Sequence, residues 1–524
     1  MLGTLFSNNL LSLLIFWELI SLCSYVLISL RSEDQFCVFA SFKSFIMTHI
    51  GSMALLLAAV VIYFATGTLD FSEIGLKIPP GNQLLMLIFP LLLIAALPKT
   101  VLFPLHTWLP DGTVAPTSAT VVFHVCGFQS GVYLIIRFFF NIFHNHIISG
   151  FMMPLPLLFG SISLWSFVIS LIGAITLIVG ALNGIVENDF KRIVAYGTIS
   201  GLGCIVMATG LGTSLCVASS LFLMISHALC YGLLFLCAGS VIYASGKHNI
   251  NELGGLHRYM PITSFCCLIG AVTLSTAPLL SEFASKFLLL HATINVGSIF
   301  FTVMAVLACV FNAAIALRLL HSVFMQRSAD EAFSFPVKDP PTSMSVPMIL
   351  VSAILITFGV SPAIPLSLLV IPAVKQMGFP MNIVSRLEFI GSPIGFWNPM
   401  AVAISLLTLL AVFAGVMVFS SRFAAAYRRP VSEETFKPFI CGEDLNLLDG
   451  PHGYHFYHAL TNVFRVEGFC NTSNVDHVYN VFSKKWNDFA VKMRLLDIQQ
   501  SYVAAISCFL AGAVIVMLVA ILMV

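Results

Sequence analysis

Charge is what this sequence has least of. Lys, Arg, Asp and Glu together make up 9% of its 524 residues, where a soluble domain carries roughly 25%. The formal net charge is +1 and no basic run is present, which removes the electrostatic footprint of a nucleic-acid or anionic partner. No nucleotide-binding loop, haem motif or cluster-binding cysteine set occurs. The chain therefore carries no redox cofactor of its own in this reading. Most of the thirteen cysteines, among them Cys23, Cys204, Cys230 and Cys237, sit inside apolar stretches as small hydrophobes and report no disulfide framework. A basic n-region is also missing from the first apolar segment, which carries Glu18 instead, so it reads as a retained span and not as a signal peptide.

What fills the space is apolar. Hydrophobic residues make up 59% of the chain, the composition of an integral membrane protein. With ~20 apolar residues needed per crossing, helical spans are expected near 5–30, 38–64, 84–108, 116–140, 157–182, 190–210, 214–243, 261–278, 282–325, 345–371, 397–420 and 502–524, the longest having room for two. The loops at 183–192 and 244–260 hold Lys and Arg, whereas those near 141–156 and 210–214 hold none. The positive-inside rule makes the first pair cytoplasmic, in a multi-pass protein of the cell membrane.

Ionisable residues inside such spans are costly and tend to mark ion paths. They are Glu18 in "IFWELISLCSY", Lys43 in "FASFKSFIM", Lys99 in "LPKTVLFPLHTWLP", His124 in "VVFHVCGFQSGVY", His227 in "MISHALCYGLLF", and Glu282 and Lys286 in "PLLSEFASKFLLLH". Lys191 opens a span in "ENDFKRIVAYGTIS". Blander roles stay open at this stage. A lysine near a helix end can snorkel to the headgroups, Lys191 can be an ordinary cytoplasmic-side charge, and a histidine on a packed helix can be a hydrogen-bonded core residue.

Two sites share a local design. Proline breaks a helix, and a break at membrane depth is tolerated only where the freed backbone faces protein or a water-filled cavity. Pro98–Lys99 with Pro104, and Pro278 followed by Glu282 and Lys286, each set a lysine beside such a break, 187 residues apart. Broken helices at corresponding places in two halves point to an ion site. The expected fold is an all-α polytopic membrane protein of two inverted-repeat helix bundles with broken helices, followed by a C-terminal interfacial amphipathic helix and a final transmembrane anchor. Its divisions fall at 1–156 for the first half, 157–327 for the second, 328–420 for additional membrane helices, 421–500 for a polar segment with the amphipathic helix, and 501–524 for the anchor.

The strings "FWELISLCSYVLISL", "LPKTVLFPLHTWLPDGTVAPTSATVVFHVCGFQSGVYLIIR", "ENDFKRIVAYGTISGLG", "SHALCYGLLFLCAGSVIY" and "GGLHRYMPITSF" resemble the antiporter-like subunits shared by respiratory complex I, membrane-bound hydrogenases and Mrp-type cation/proton antiporters. The resemblance covers about residues 10–325. It implies that Glu18 pairs with Lys99, that His124 continues the proton path, that Lys191 links the halves, and that Lys286 is the lysine of the second broken helix. In two places this sequence departs from the pattern. Tyr231 stands where "H-A-x-x-K" members have lysine, so His227, one turn before it on the same face, becomes the titrating group, since a phenol with pKa near 10 is seldom charged. The chain also starts at the "FWE" helix, which implies a shortened beginning or helices supplied elsewhere.

In the C-terminal third, Val478, Phe482, Trp486, Phe489, Met493 and Leu496 form an apolar stripe at helical spacing, with charged residues between them and an uncharged span behind. This reads as an amphipathic helix lying along the interface before the last anchor, and it resembles a short form of the lateral helix of the largest antiporter-like subunits. Upstream, Cys441, His452, His455, His458 and Cys470 match no standard zinc spacing. A polar surface docking onto a peripheral arm is expected there, most like the hydrogenase-linked members.

The expected function is proton translocation within a redox-driven complex of membrane-bound hydrogenase or complex I type. Iron-sulfur clusters, and nickel–iron in the hydrogenase case, would belong to peripheral redox partners, and other membrane subunits of the assembly would flank this chain. Burial disfavours a charged lysine and a nearby carboxylate favours it, so movement of Glu18 relative to Lys99 would switch proton holding. The alternatives are a cation/proton antiporter subunit of Mrp type, and a non-pumping scaffold or inorganic-carbon uptake component, the last in keeping with the missing lysine at Tyr231.

Overall fold

A computed structural model describes residues 1–379 apart from 32, 80–81, 145–146, 148–155, 160–161 and 326–336, together with three short strands and the isolated helical positions Ser405, Thr408, Val412, Asp476, Tyr479 and Lys484. The expected spans at 397–420 and 502–524, most of the amphipathic stripe, and the Cys441 to Cys470 segment lie outside the described residues.

Long apolar runs become long helices. In chain order these are α1 (Leu10–Ile28), α2 (Gln35–Thr66), α3 (Leu85–Lys99), α4 (Thr117–Ile142), α5 (Leu164–Val186), α6 (Phe190–Gly210), α7 (Ser214–Ser245), α8 (Pro261–Leu274), α9 (Ser281–Val296), α10 (Ile299–Leu320) and α11 (Thr342–Val360). Among the described residues, eight helices are long and apolar enough to cross a membrane. The expected span at 282–325 divides at Gly297, which caps α9 at φ 76°, and Ser298, which caps α10 through its side chain. The only sheet among the described residues is a small antiparallel one of β1 (Val384–Arg386), β2 (Phe389–Gly391) and β3 (Phe396–Trp397).

The helices sort by exposure. Leu11, Ile15, Leu19, Leu22 and Val26 turn outward from α1, the surface that a bilayer would cover. Nearly the whole of α6 is buried instead, and it packs as an antiparallel hairpin on α5 and also against α7. At the end of this hairpin the two loops expected to be cytoplasmic meet, where Asp189 bridges Asn249 and the Phe190 amide donates to the His248 carbonyl. The guanidinium of Arg318 donates to the terminal carbonyls of α5, including that of Ile185 at 2.6 Å. A cation suits the negative end of a helix dipole.

Both expected breaks are present. Helix α3 ends at Lys99, and the chain turns before a one-turn helix at Trp108–Gly112. The second break lies between α8 and α9. Val101 at the first (φ 57°), and Thr276 (φ 62°) and Leu279 (φ 75°) at the second, are the non-glycine residues with positive φ among the described residues. Left-handed backbone is unfavourable for such residues and persists only where the surroundings enforce it. Part of that enforcement is close packing. Helix α11 approaches the second break at Gly359, where a Cβ would overlap the Leu279 carbonyl oxygen. Gly359→Val should therefore destabilise the full chain by about 1–3 kcal/mol, read as a lower Tm in detergent. An unchanged Tm would mean that this contact does not hold the break.

Candidate functional site

The candidate site comprises buried polar side chains in an apolar bundle, among them a lysine beside each break. In the first half, Lys99 is 3% exposed, donates from Nζ to Ser21 Oγ at 2.8 Å, and lies 5.7 Å from the centre of the Trp17 ring. Trp17, Glu18 and Ser21 share α1, so one helix presents an aromatic face, a carboxylate and a hydroxyl around one ammonium. Lys99 donates to Ser21 and not directly to Glu18, whose Oε1 stands 3.2 Å from Nδ1 of His49 on α2. Neither Ser21 nor His49 stood out in the sequence; Ser21 lies one turn after Glu18, the only signal it offers.

Lys191, on the first turn of α6, is also buried and donates to the carbonyls of Ala115 at 3.0 Å and Thr113 at 3.4 Å. It thereby fastens α6 to the segment leading from the first break into α4. His124 lies within α4 on a π-type turn, Phe123–Gly127, a local widening frequently found at functional sites. Its Nδ1 is 3.4 Å from Thr198 Oγ1 on α6.

His124 on α4 meets His227 and Tyr231 on α7. The His124 and His227 ring centres are 5.1 Å apart, those of His227 and Tyr231 4.4 Å, and those of His124 and Tyr231 5.8 Å. All three side chains are buried. Helix α6 makes room for them through glycine: a Cβ at Gly201 would overlap the His227 ring, and one at Gly197 would stand 2.8 Å from Cε1 of Tyr231. Among the described residues, Nε2 of both histidines and the Tyr231 hydroxyl have no hydrogen-bond partner in the protein, and neither do the hydroxyls of Ser200 and Ser226. Unsatisfied buried polar atoms are expensive, and a concentration of them marks a place kept for function or water.

In the second half Lys286 and Glu282 form a buried ion pair at 2.8 Å, 3% and 1% exposed. Lys286 also donates to Thr276 Oγ1 at 2.9 Å and to the Leu274 carbonyl at 3.5 Å, both at the break. The freed backbone end of α8 is thus capped by the lysine itself. Helix α9, which carries this pair, packs directly on α7, which carries His227 and Tyr231.

The structure therefore brings His124, His227 and Tyr231 together, and Glu282 with Lys286, while Lys191 donates to the carbonyls of Thr113 and Ala115. A further charged network went unread in the sequence. Lys43 Nζ contacts Asp111 at 2.7 Å and Asp476 at 2.8 Å, and Arg192 joins Asp111 at 3.4 Å to Glu187 at 2.9 Å. No group of three or more His, Cys, Asp and Glu residues among the described residues is placed to hold a metal ion.

Two broken helices, each with a buried lysine, and further buried polar side chains in an apolar bundle belong to an all-α polytopic membrane protein. Residues 7–312 match the family model described as the NADH:quinone oxidoreductase/Mrp antiporter transmembrane family, and the chain belongs to it. It is 33% identical over 303 residues to NAD(P)H-quinone oxidoreductase chain 5 of Synechocystis sp., covering 55% of this chain and 42% of that one. To a Na(+)/H(+) antiporter subunit of Alkalihalophilus pseudofirmus it is 29% identical over 404 residues, covering 72% and 48%. The chain thus spans about half the length of these relatives. Its fold resembles that of a chain in the membrane-bound sulfane sulfur reductase, an archaeal respiratory membrane complex, with TM-score 0.79 and 23% identity, covering 98% of this chain and 81% of that one.

The buried pair gives the first test of the site. Lys286→Met leaves Glu282 buried without its cation, which should cost about 3–5 kcal/mol, whereas Lys286→Met with Glu282→Leu removes both charges and should recover most of the loss. Thermal unfolding of the two variants checks this. Equal stability for both would mean that the two side chains are not energetically coupled.

Proposed function

We propose that this chain is a proton-translocating, antiporter-like component of a redox-driven membrane complex of membrane-bound hydrogenase or complex I type. The observation that carries the reading is the set of buried polar side chains, with a lysine at each break and two adjacent imidazoles on α4 and α7. The chain supplies the proton path, and the driving energy comes from peripheral subunits that hold iron-sulfur clusters and, in a hydrogenase-type assembly, nickel–iron. Residues 1–156 and 157–327 act as the two halves.

Each residue has a role suited to its chemistry. Glu18 places a carboxylate on the same helix as Ser21, and Ser21 gives the Lys99 ammonium a hydrogen-bond partner in an apolar surrounding. Lys191 fixes the geometry between the first break and α6. His124 and His227 can each accept a proton on one ring nitrogen and release one from the other, the property a lateral relay requires. Tyr231, neutral at ordinary pH, donates and accepts hydrogen bonds beside them but holds no charge. Glu282 and Lys286 form the far terminus, where opening and closing of the ion pair changes the ease with which the lysine gives up its proton.

A second reading is exchange of Na⁺ for H⁺ without electron transfer. The match with the Na(+)/H(+) antiporter relative over 72% of the chain favours it. Proteoliposomes containing the intact complex separate the two. Proton movement should require the electron donor and should not be supported by a Na⁺ gradient alone, and Lys99→Ala should lower it by about tenfold or more with assembly intact. Donor-independent proton movement driven by Na⁺ would establish the antiporter reading. Unchanged pumping in Lys99→Ala would remove Lys99 from the path.

A further inference from the structure

The carboxylate of Glu18 has two basic neighbours and is hydrogen-bonded to neither. One is Lys99 of α3, whose ammonium donates to Ser21 and forms no ion pair with Glu18 among the described residues, although Glu18 is close enough to act on it electrostatically. The other is His49 of α2. Its Nδ1 stands 3.2 Å from Glu18 Oε1, yet that nitrogen is buried without a hydrogen-bond partner. Since 3.2 Å is already within hydrogen-bond length, what the contact lacks is alignment. A buried nitrogen left one turn of a side chain short of a bond calls for an explanation, and neither the fold nor the path described above supplies one.

The imidazole is the fixed member of this pair. His49 stacks on Phe45, one turn earlier on α2, with ring centres 5.5 Å apart and planes 14° from parallel. Phe45 packs in turn on Tyr25 of α1, at 5.5 Å between ring centres. Such stacking holds a ring in its plane, so the carboxylate is the side chain left to turn. The other titratable or charged residues on elements packed against α2 are Cys23 and Tyr25 of α1, Arg31 of the turn Ser29–Arg31, Asp111 of the one-turn helix, and Glu73 and Lys77 of the short helix Phe71–Lys77. Asp111 pairs with Lys43 of α2 at 2.7 Å, and Glu73 pairs with Lys77 at 2.7 Å.

We propose that Lys99 and His49 are alternative partners of Glu18, and that His49 is the positioning residue that makes the first break respond to pH. A charged imidazole draws the carboxylate to Nδ1 and away from Lys99, and a neutral one leaves it to the ammonium. Imidazoles change charge between about pH 5 and 8, so the exchange of partners falls in the working range of a cell. A carboxylate with two competing partners is a two-state element that either partner can bias, which is what coupling between them physically requires. The inference rests on the proton-path reading above, with Lys99 as the carrier at the first break, and adds the group that regulates it.

Two variants hold position 49 in one charge state each: His49→Gln stays neutral and keeps hydrogen-bonding capacity, and His49→Arg stays charged. In proteoliposomes of the intact complex, the pH profile of proton pumping by the natural chain should follow His49→Gln on the alkaline side and His49→Arg on the acid side, with the two variants differing several-fold. Infrared difference spectra of the full chain in nanodiscs read the same exchange without transport. The Glu18 carboxylate band, identified by its loss in Glu18→Gln, should shift across the imidazole range in the natural chain and stay fixed in both His49 variants. A Glu18 band that shifts equally in His49→Gln would overturn the proposal. So would coincident pumping profiles in all three chains when Lys99→Ala stops pumping. Unchanged pumping in Lys99→Ala, with the Glu18 band still following His49, would instead remove the proton-path reading and leave the exchange of partners standing.

Discussion

In a bilayer, a backbone amide or a charged side chain has no water to turn to, and this single restriction organises the molecule. Most of the problem is solved by helices that satisfy their own backbone, as roughly 90% or more of buried backbone polar groups are satisfied in proteins generally. The remainder is concentrated at two breaks. Each is closed by side chains placed for that purpose: the Trp108 indole donates to the Pro98 carbonyl at 3.0 Å at the first, and Lys286 donates to Thr276 and Leu274 at the second. The lysines beside the breaks are also the groups whose charge can change. In the proposed function, structural closure and proton handling at the second break are therefore the same contacts, and Lys286 cannot be altered for one without disturbing the other.

The two breaks solve the restriction differently. Lys99 leans on a hydroxyl and an aromatic face, with Glu18 one turn from Ser21 and itself turned to His49. Lys286 is locked to its own carboxylate one turn away. The first arrangement leaves the ammonium with a neutral hydrogen-bond partner, whereas the second compensates it fully. Between them the space is filled by rings seated against Gly197 and Gly201. Where a lysine would bring a further buried cation beside Lys99, Lys191 and Lys286, Tyr231 brings a phenol, and in the proposed path the central charge falls to His124 and His227. In the proposed function the asymmetry gives the path a direction: a proton held loosely at one end, carried by imidazole in the middle, and held by an ion pair at the other.

Much of this was legible in the sequence where chemistry and pattern coincide. Pro98 next to Lys99, and Pro278 followed by Glu282 and Lys286, announced the two breaks inside apolar runs, and the histidines stood out because charge-bearing groups are so scarce. The partition of 282–325 into α9 and α10 was signalled by Gly297–Ser298, a glycine stop followed by a serine start, but the apolar run continues on both sides and hides it. Other features were illegible for physical reasons. Positive φ at Val101, Thr276 and Leu279 is imposed by packing and not by residue type. Ser21 is one of many serines that bond their own helix, and only the fold brings it 2.8 Å from Lys99. The Lys43–Asp476 contact joins residues 433 positions apart, beyond the reach of any local pattern. The closeness of His124 to His227 likewise depends on how α4 and α7 cross.

That closeness is the centre of the proposed path, since it is where one half hands over to the other. The most direct measurement is the number of protons moved per electron pair by the intact complex in proteoliposomes, compared among the natural chain, His124→Gln and His227→Gln. Glutamine keeps hydrogen-bonding capacity but cannot carry the charge. Each substitution should lower the proton count while electron transfer continues. An undiminished count in both variants, with normal assembly, would contradict a relay through the paired imidazoles.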